Sequence, residues 1–449
     1  MVTTQTTELQ RVKLDENGRN AGRVNEPRKS TIVFLGLGHT SALVLRRWRD
    51  EKPRNDVRLV CVSNSPVATY SGMLPGVLAG QYRPSDMTID LRRLCSDAGA
   101  ELIVGETIGV DRAARRLQIA PGVANDDSSG DGNASGHLSI DYDYLVVGVG
   151  SRPRLPPLVA RGGCPPRALV PIKPMQTFVE RLRARVQEVV GRLSHQQPLR
   201  LLVVGGGAGG VEIATCISQF VRRETPGSPF VVTLVAAGAQ LVGDARPRTG
   251  RRLQFELERQ NVRVLLGRRV VELAELVDAN GTNDSASVAA SGMARLDDGA
   301  QLECDIVLWA TDAVGPAVLE RFDLPRDDRR FLLIRSTLQS IADERVFVVG
   351  DAGTLRDGRT TKAGVFAVRQ APVLWDNLHA ILDGRPLRDF RPQQDFLRLL
   401  NLGDGRALGQ YRALTFTGRW VWRWKDRIDR RFLAQFPQVD YNPRHVAEP

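Results

Sequence analysis

No apolar run in this 449-residue chain approaches the roughly 18 residues that cross a bilayer, so no transmembrane helix is expected. Cysteine is scarce. The five (Cys61, Cys95, Cys164, Cys216 and Cys304) stand far apart, with no CxxC pair and no zinc-ligand spacing. That excludes a thioredoxin-like dithiol and a structural metal site, and leaves reduced thiols in a cytosolic core. Met1 to Ser30 is polar and lacks a hydrophobic segment, so a disordered tail is expected there rather than a secretory signal. Acidic residues are outnumbered, 51 against 62 Lys and Arg, for a net charge of +11. An anionic partner follows; phosphate-bearing cofactors, anionic lipid and nucleic acid all carry the matching sign.

What is present is glycine in ordered places. Leu201-Leu202-Val203-Val204-Gly205-Gly206-Gly207-Ala208-Gly209-Gly210-Val211-Glu212 reads as a buried strand, a tight turn and a helix start. A dinucleotide pyrophosphate needs that order. Gly205 allows the turn, Gly207 lets the backbone approach phosphate, and Gly210 lets helix pack on strand. The free N–H groups and dipole at the helix start, Ala208 and Gly209 included, attract the anion. A first unit of the same kind precedes it: Thr31 to Leu35, then Gly36-Leu37-Gly38-His39-Thr40-Ser41, with Ser41 in the third glycine position.

Neither unit carries the acidic residue that usually holds an adenosine ribose. The strand Val57 to Val62 ends at Ser63-Asn64, and Phe230 to Val235 ends at Ala236-Ala237. Ser63 can still bond a ribose hydroxyl. NAD and NADP both remain open. Tyr144 to Val147 leads into Gly148-Val149-Gly150-Ser151-Arg152, and Val346 to Val349 into Gly350-Asp351, whose carboxylate can accept from ribityl or ribose hydroxyls. Lys362 precedes a helix start at Gly364-Val365, positioned to face an electron-rich ring edge. Residues 125–136 and 279–292 are Ser/Asp/Gly-rich loops, and Phe178 to Leu193 is an amphipathic helix.

Two GxGxxG-type units, ATG-like strand ends at Gly148 and Ala310, and a late Gly350-Asp351 occur together here. The chain resembles the FAD-dependent pyridine nucleotide-disulfide oxidoreductase superfamily, most closely its type II NADH dehydrogenase branch. Tyr70 to Gly76, Lys362 to Gln370 and Gly418 to Asp426 are similar to the dehydrogenase-like proteins associated with selenide, water dikinase. The resemblance implies an α/β fold of two Rossmann-like, three-layer ββα domains. The boundaries expected are 1–30 tail, 31–155 and 305–390 FAD domain, 156–194 linker and helix, 195–304 NAD(P) domain, and 391–449 C-terminal cap.

It also implies FAD at Gly36, Gly38, His39, Thr40, Ser63, Gly150, Gly350, Asp351 and Val365, and NAD(P)H at Gly205, Gly207, Ala208, Gly209, Gly210 and Glu212. Glu212 and Lys362 are the catalytic candidates, and Lys173 matches a family position without a derived role. The implied reaction passes hydride from NAD(P)H to FAD and electrons to quinone or another small acceptor. The alternative is a low-turnover flavin-bound partner of selenophosphate synthesis, with selenide, water dikinase as its mate; a homodimer is also admitted. Ser71 to Gly76 stands where disulfide reductases keep CxxxxC, which excludes a redox disulfide. Val365 replaces the first Gln of the AQxAxQ quinone helix, and Asp312 replaces the glycine of an ATG turn, where a left-handed backbone is tolerable.

From Arg419 to Phe436, a helical wheel gathers Trp420, Val421, Trp424, Ile428, Phe432 and Phe436 on one arc, with Lys425 and Arg431 intruding. Two readings stand: a basic amphipathic helix on anionic lipid, or a helix packed on its own flavin domain or a dimer mate. The aromatics and cations do not interleave on one surface, which argues against nucleic acid. The protein is expected in the cytoplasm, or peripheral on the inner face of the cell membrane.

Overall fold

The computed structural model describes residues 28–51, 54–121, 137–155, 158–159, 166–194, 196–275, 291–358 and 361–439. The tail to residue 27, the loops at 125–136 and 279–290, Cys164 and residues 440–449 of the cap lie outside them. Eight α-helices occur among the described residues: α1 (His39–Asp50), α2 (Leu74–Leu78), α3 (Leu91–Asp97), α4 (Phe178–Val190), α5 (Ala208–Glu224), α6 (Pro247–Arg259), α7 (Gly364–Leu382) and α8 (Arg419–Leu433).

Continuous apolar runs such as Ile32-Val33-Phe34-Leu35, at most 4% exposed, suit strands covered on both faces. They form a seven-stranded sheet ordered Val346–Val348, Tyr144–Val147, Ser30–Leu35, Val57–Ser63, Glu101–Asp111, Arg116–Pro121 and Leu138–Asp141. Its first five strands run parallel. Register matters more than order: Leu35 pairs with both Val62 and Val147, and Val147 with Val348. Four carboxyl ends are therefore level, and the turns after them open at one edge.

A second, parallel sheet is ordered Leu169–Val170, Ile306–Trp309, Leu199–Val204, Phe230–Ala236 and Val262–Leu266. Val204 pairs with Val235 and Trp309, so this sheet also ends level. Strands Val270–Glu275, Gly292–Leu296 and Gln301–Cys304 build a flanking antiparallel layer. The chain then returns to the first sheet, α7 packing on α1 with Trp48 and Trp375 edge to face at 5.2 Å. A three-stranded meander, Arg398–Asn401, Ala407–Tyr411 and Leu414–Gly418, precedes α8. Helix α4 stops at Val190 before Gly191, three residues short of the expected end. Cys61, Cys95, Cys216 and Cys304 are buried, free thiols.

Candidate functional site: two glycine cradles and a buried carboxylate

The outer cradle forms where Ser30–Leu35 turns into α1. Gly36 has φ +84°, and a Cβ there would lie 2.7 Å from the Gly148 carbonyl. Only glycine lets the two strand-end turns touch. Gly38 precedes the first turn of α1, leaving the N–H groups of His39 and Thr40 at an open helix end. The Thr40 hydroxyl is not aimed there: it donates to the Ala367 carbonyl at 2.7 Å and ties α1 to α7. Gly150 (φ +73°) and Gly350 (φ +61°) shape the neighbouring turns, with no other atom within 4 Å of a Cβ at Gly150.

Around this edge the structure collects charge. Asp351 accepts from Ser151 Oγ at 2.8 Å, and Lys173 Nζ donates to the Ser151 carbonyl. Lys362 Nζ donates to the Gly353 carbonyl and, at 3.1 Å, to Thr354 Oγ1; it lies 4.0 Å from the centroid of Phe331. Burial depresses the proton affinity of both lysines, Lys362 to about 8, while Asp351 opposes the shift. His39, packed between Tyr70 and Phe432 at 5.3 and 5.5 Å, is likewise held below its ordinary value by burial, against Asp351. Three basic side chains thus flank one carboxylate. Ser63 sits half-buried at its strand end, and Val365 half-buried at the start of α7. Gln370 is turned inward, accepting from the Gly350 N–H at 2.6 Å.

The inner cradle is tighter. Gly205 has φ +127°, and a Cβ there would lie 2.2 Å from the Ala310 carbonyl oxygen. At Gly210 a Cβ would lie 1.9 Å from the Gly205 oxygen, so the helix meets the turn backbone to backbone. Gly207 and Gly209 differ: both are exposed, and a Cβ at either meets nothing within 4 Å. They border a cradle at the N-terminus of α5 that side chains would fill, which fits a pyrophosphate. Asp312 is exposed beside it and does not adopt the left-handed backbone expected. The Arg154 N–H bonds its carbonyl, and Ala313–Val314 continues as a strand against Arg152–Pro153, so the backbone stays extended.

Glu212, on the first turns of α5, is half-buried. Its Oε1 accepts from the Asn401 N–H at 2.8 Å. Surrounding protein desolvates the carboxyl enough to raise its pKa from 4.5 to about 7, although Lys425 and the Asn401 bond pull the other way. A carboxyl that titrates near neutrality can hold or release a proton.

Lys425 and Asp429 of α8 escaped the sequence reading. The wheel placed Trp420, Trp424 and Ile428 with Val421 on one apolar arc and made Lys425 an intruder there. In the fold the buried line is Val421, Lys425, Asp429 and Leu433, at four-residue spacing, while Trp420, Trp424 and Ile428 are exposed. Lys425 Nζ donates to Asp429 Oδ2 at 2.6 Å and to the Gly72 carbonyl at 2.9 Å. The four-residue spacing of a Lys and an Asp between apolar positions was the available signal, and it reads equally well as a surface pair.

Among curated proteins, the chain is similar to the type II NADH:quinone oxidoreductase of Haemophilus influenzae, at 24% identity over 60% of this chain and 62% of that one. It is also similar to the alternative NAD(P)H-ubiquinone oxidoreductase C1 of Arabidopsis thaliana, at 27% over 62% and 51%. It therefore spans half to three fifths of the length of these relatives. In fold it matches the Plasmodium falciparum protein NDH2 in complex with NADH, with TM-score 0.69, 13% identity and coverage of 94% and 100%. The sulfide:quinone oxidoreductase of Aquifex aeolicus matches at TM-score 0.68 and 15% identity, covering 91% of both chains. The pyridine nucleotide-disulphide oxidoreductase family model matches residues 31–371, which takes in both glycine cradles and ends inside α7. This α/β chain, with its two glycine cradles, belongs to the pyridine nucleotide-disulphide oxidoreductase family.

Proposed function

We propose that the protein is an FAD-dependent NAD(P)H dehydrogenase that delivers electrons to a quinone and needs no redox disulfide. The observation that carries this reading is the pair of cradles at the carboxyl ends of two parallel sheets, with a neutral-range carboxyl, Glu212, on the helix that starts from the second. The relatives named as NAD(P)H:quinone oxidoreductases support it. The domain reading is 31–155 with 305–390 for FAD, 195–304 for NAD(P)H and 391–449 as the cap; the second sheet reaches past its bounds, since Leu169–Val170 pairs with Ile306–Trp309, and that strand with Leu199–Val204.

The turns at Gly36, Gly38, Ser63, Gly150, Gly350 and Asp351, the α1 start at His39 and Thr40, and Val365 would hold FAD. Gly205, Gly207, Ala208, Gly209 and Gly210 would hold the pyrophosphate of NAD(P)H. Bound flavin supplies two-electron exchange between nicotinamide and acceptor. Asp351, fixed by Ser151, would accept from a sugar hydroxyl of the cofactor. Lys362, anchored by the Gly353 carbonyl and Thr354, would offer a cation to the bound flavin. Glu212 would hold or release a proton at its carboxyl when nicotinamide is bound, and the packed rings of His39, Tyr70 and Phe432 would exclude water. Adding a short-chain quinone to protein reduced by NAD(P)H is expected to restore the oxidised flavin spectrum within seconds. Reduced flavin that persists with quinone yet reoxidises with other acceptors would remove quinone from the account.

No helix among the described residues is long and apolar enough to cross a membrane. The outer face of α8 instead suits a lipid surface. Trp420, Trp424 and Ile428 are 54%, 41% and 41% exposed, Leu414 is 68% exposed, and Arg419, Arg423, Arg427 and Arg431 lie open around them. Phe416 and Trp420 stack at 5.2 Å, forming a rigid aromatic ledge. Aromatic rings with a cationic rim bind the interface of an anionic bilayer. Replacing Trp420 and Trp424 together by Glu is expected to reduce sedimentation with phosphatidylglycerol-containing vesicles about 10-fold or more, since each ring contributes roughly 1.5–3 kcal/mol when buried. Unchanged sedimentation would place the contact elsewhere.

One feature favours a second reading. Asp312 puts an exposed carboxylate beside the inner cradle, which opposes a pyrophosphate. A chain that binds flavin but reacts poorly with nicotinamide would act as a low-turnover partner in selenium metabolism, docking on selenide, water dikinase. Flavin reduction by NAD(P)H separates the two.

A further inference from the structure

At the adenosine end of the inner cradle, the strand Phe230–Ala236 stops without a carboxylate. A carboxylate at this place bonds the ribose 2′-hydroxyl of NAD, and the same charge would repel the 2′-phosphate of NADP. Here Ala237, Gly238 and Ala239 follow, all exposed and none larger than a methyl group. The strand end is part of the cradle. A Cβ on Gly206 would lie 2.5 Å from that of Ala236, and the Val242 N–H donates to the Gly206 carbonyl at 2.7 Å.

A cation reaches this strand end from the next strand. Val262–Leu266 is the neighbour of Phe230–Ala236 at the sheet edge, and Leu266 pairs with Ala236, so the two end level. The turn that follows is stitched across the gap. The Gly267 N–H donates to the Gly238 carbonyl at 3.0 Å, and the Arg268 N–H to the Ala236 carbonyl at 3.1 Å. The Arg268 backbone is thereby fixed one hydrogen bond from the last residue of the strand. The Arg269 N–H points elsewhere, to Asp297 Oδ1 at 3.1 Å.

The fold leaves the Arg268 guanidinium accessible. Its side chain is 48% exposed and pairs with Asp298, 35% exposed, at 2.8 Å. Its one side-chain hydrogen bond among the described residues is long, from Nη1 to the Gly267 carbonyl at 3.5 Å. An exposed pair of this kind contributes little. A phosphate dianion, which accepts two parallel N–H bonds from a guanidinium, is the stronger partner. Asp297 and Asp298 are the carboxylates bonded to this turn. Asp312 follows Ile306–Trp309, on the far side of Leu199–Val204.

We propose that Arg268 binds the adenosine 2′-phosphate, so that the inner cradle selects NADPH over NADH. The inference rests on the reading of this cradle as a nicotinamide-nucleotide site, and not on electron transfer. The segment Ala236–Gln240 has no arginine to suggest this. The pairing of neighbouring strands supplies one from the following turn.

Isothermal titration calorimetry of the full-length, FAD-loaded protein tests this with adenosine 2′,5′-bisphosphate and 5′-AMP, which differ only in the 2′-phosphate. Wild type is expected to bind the bisphosphate about 10- to 100-fold more tightly, the range for a hydrogen bond to a charged group. In Arg268→Gln the two affinities become nearly equal, through loss of bisphosphate binding. Arg268→Lys keeps part of the preference, and Asp298→Asn, which frees the guanidinium, keeps or enlarges it. If Arg268→Gln does not fold by circular dichroism, the wild-type ratio and Arg268→Lys decide. Wild type that binds the two ligands equally, or neither, overturns the proposal. So does a preference unchanged in Arg268→Gln, or one lost in Arg269→Gln alone. The expected preference in a protein whose flavin ignores both nucleotides would sink the dehydrogenase reading alone. Flavin reduced equally well by NADH and NADPH, with equal affinities for the two probes, would sink this proposal alone.

Discussion

The Gly207→Ala protein is expected to keep the wild-type Tm and to lose most of its affinity for NAD(P)H. A Cβ at Gly207 meets no protein atom within 4 Å, so folding has no reason to change. The same methyl stands at the mouth of the α5 N-terminus, where the backbone must approach the pyrophosphate closely. Losing a close contact to a doubly charged group corresponds to about 10- to 100-fold in affinity, given about 1.5–3 kcal/mol per hydrogen bond to a charged group. Gly210→Ala is the informative contrast. Its Cβ would lie 1.9 Å from the Gly205 oxygen, so the turn must open, and here both Tm and affinity fall. Thermal melts paired with a NAD(P)H titration of flavin reduction distinguish the two. Equal loss of Tm in both variants would mean that Gly207 is a folding requirement and not part of a ligand cradle.

The second large effect is expected from Glu212→Gln. Removing a proton-handling group lowers a single-turnover rate by about 10²-fold or more, and it should also erase the pH inflection near 7. Stability gives an independent check on the same residue. Burial raises the pKa of Glu212 from 4.5 to about 7, so between those values the folded state holds a proton that the unfolded state has released. The stability this adds is fully present below pH 4.5 and is lost as pH rises through 7. Glutamine has no such dependence. The variant is therefore expected to melt higher than wild type at pH 8, with a flatter profile across this range. A slower enzyme that is more stable in alkali separates loss of chemistry from loss of fold. A Glu212→Gln protein with an unchanged rate would move the proton handling to another group.

Both cradles were legible in the sequence because their cause is local. In each a glycine with positive φ, a second glycine before the helix and a small residue under the helix (Gly210 in one, Ser41 in the other) fall within six residues of one another, and level strand ends follow from continuous apolar runs. Roles that depend on distant partners were not legible. The Thr40 hydroxyl lies in a cofactor motif but bonds Ala367, 327 residues away. Gln370 belongs to a motif read for quinone but bonds the Gly350 N–H. The Lys425–Asp429 pair shows the limit most plainly. A helical wheel sorts residues by polarity and assigns charge to solvent, whereas here the partners that bring the pair inside, Gly72 and Tyr70, lie more than 350 residues away. The same inversion left the tryptophan line exposed, with Phe416 stacked against it.

The most direct measurement is anaerobic addition of NADH, and separately NADPH, to the FAD-loaded protein while the visible flavin band is followed. Bleaching by at least one of them is expected within the mixing time of a hand experiment, with the band returning when an acceptor is supplied. Protein that holds FAD and keeps its colour with both nucleotides would contradict it, and would leave the two cradles as a binding scaffold without the reaction.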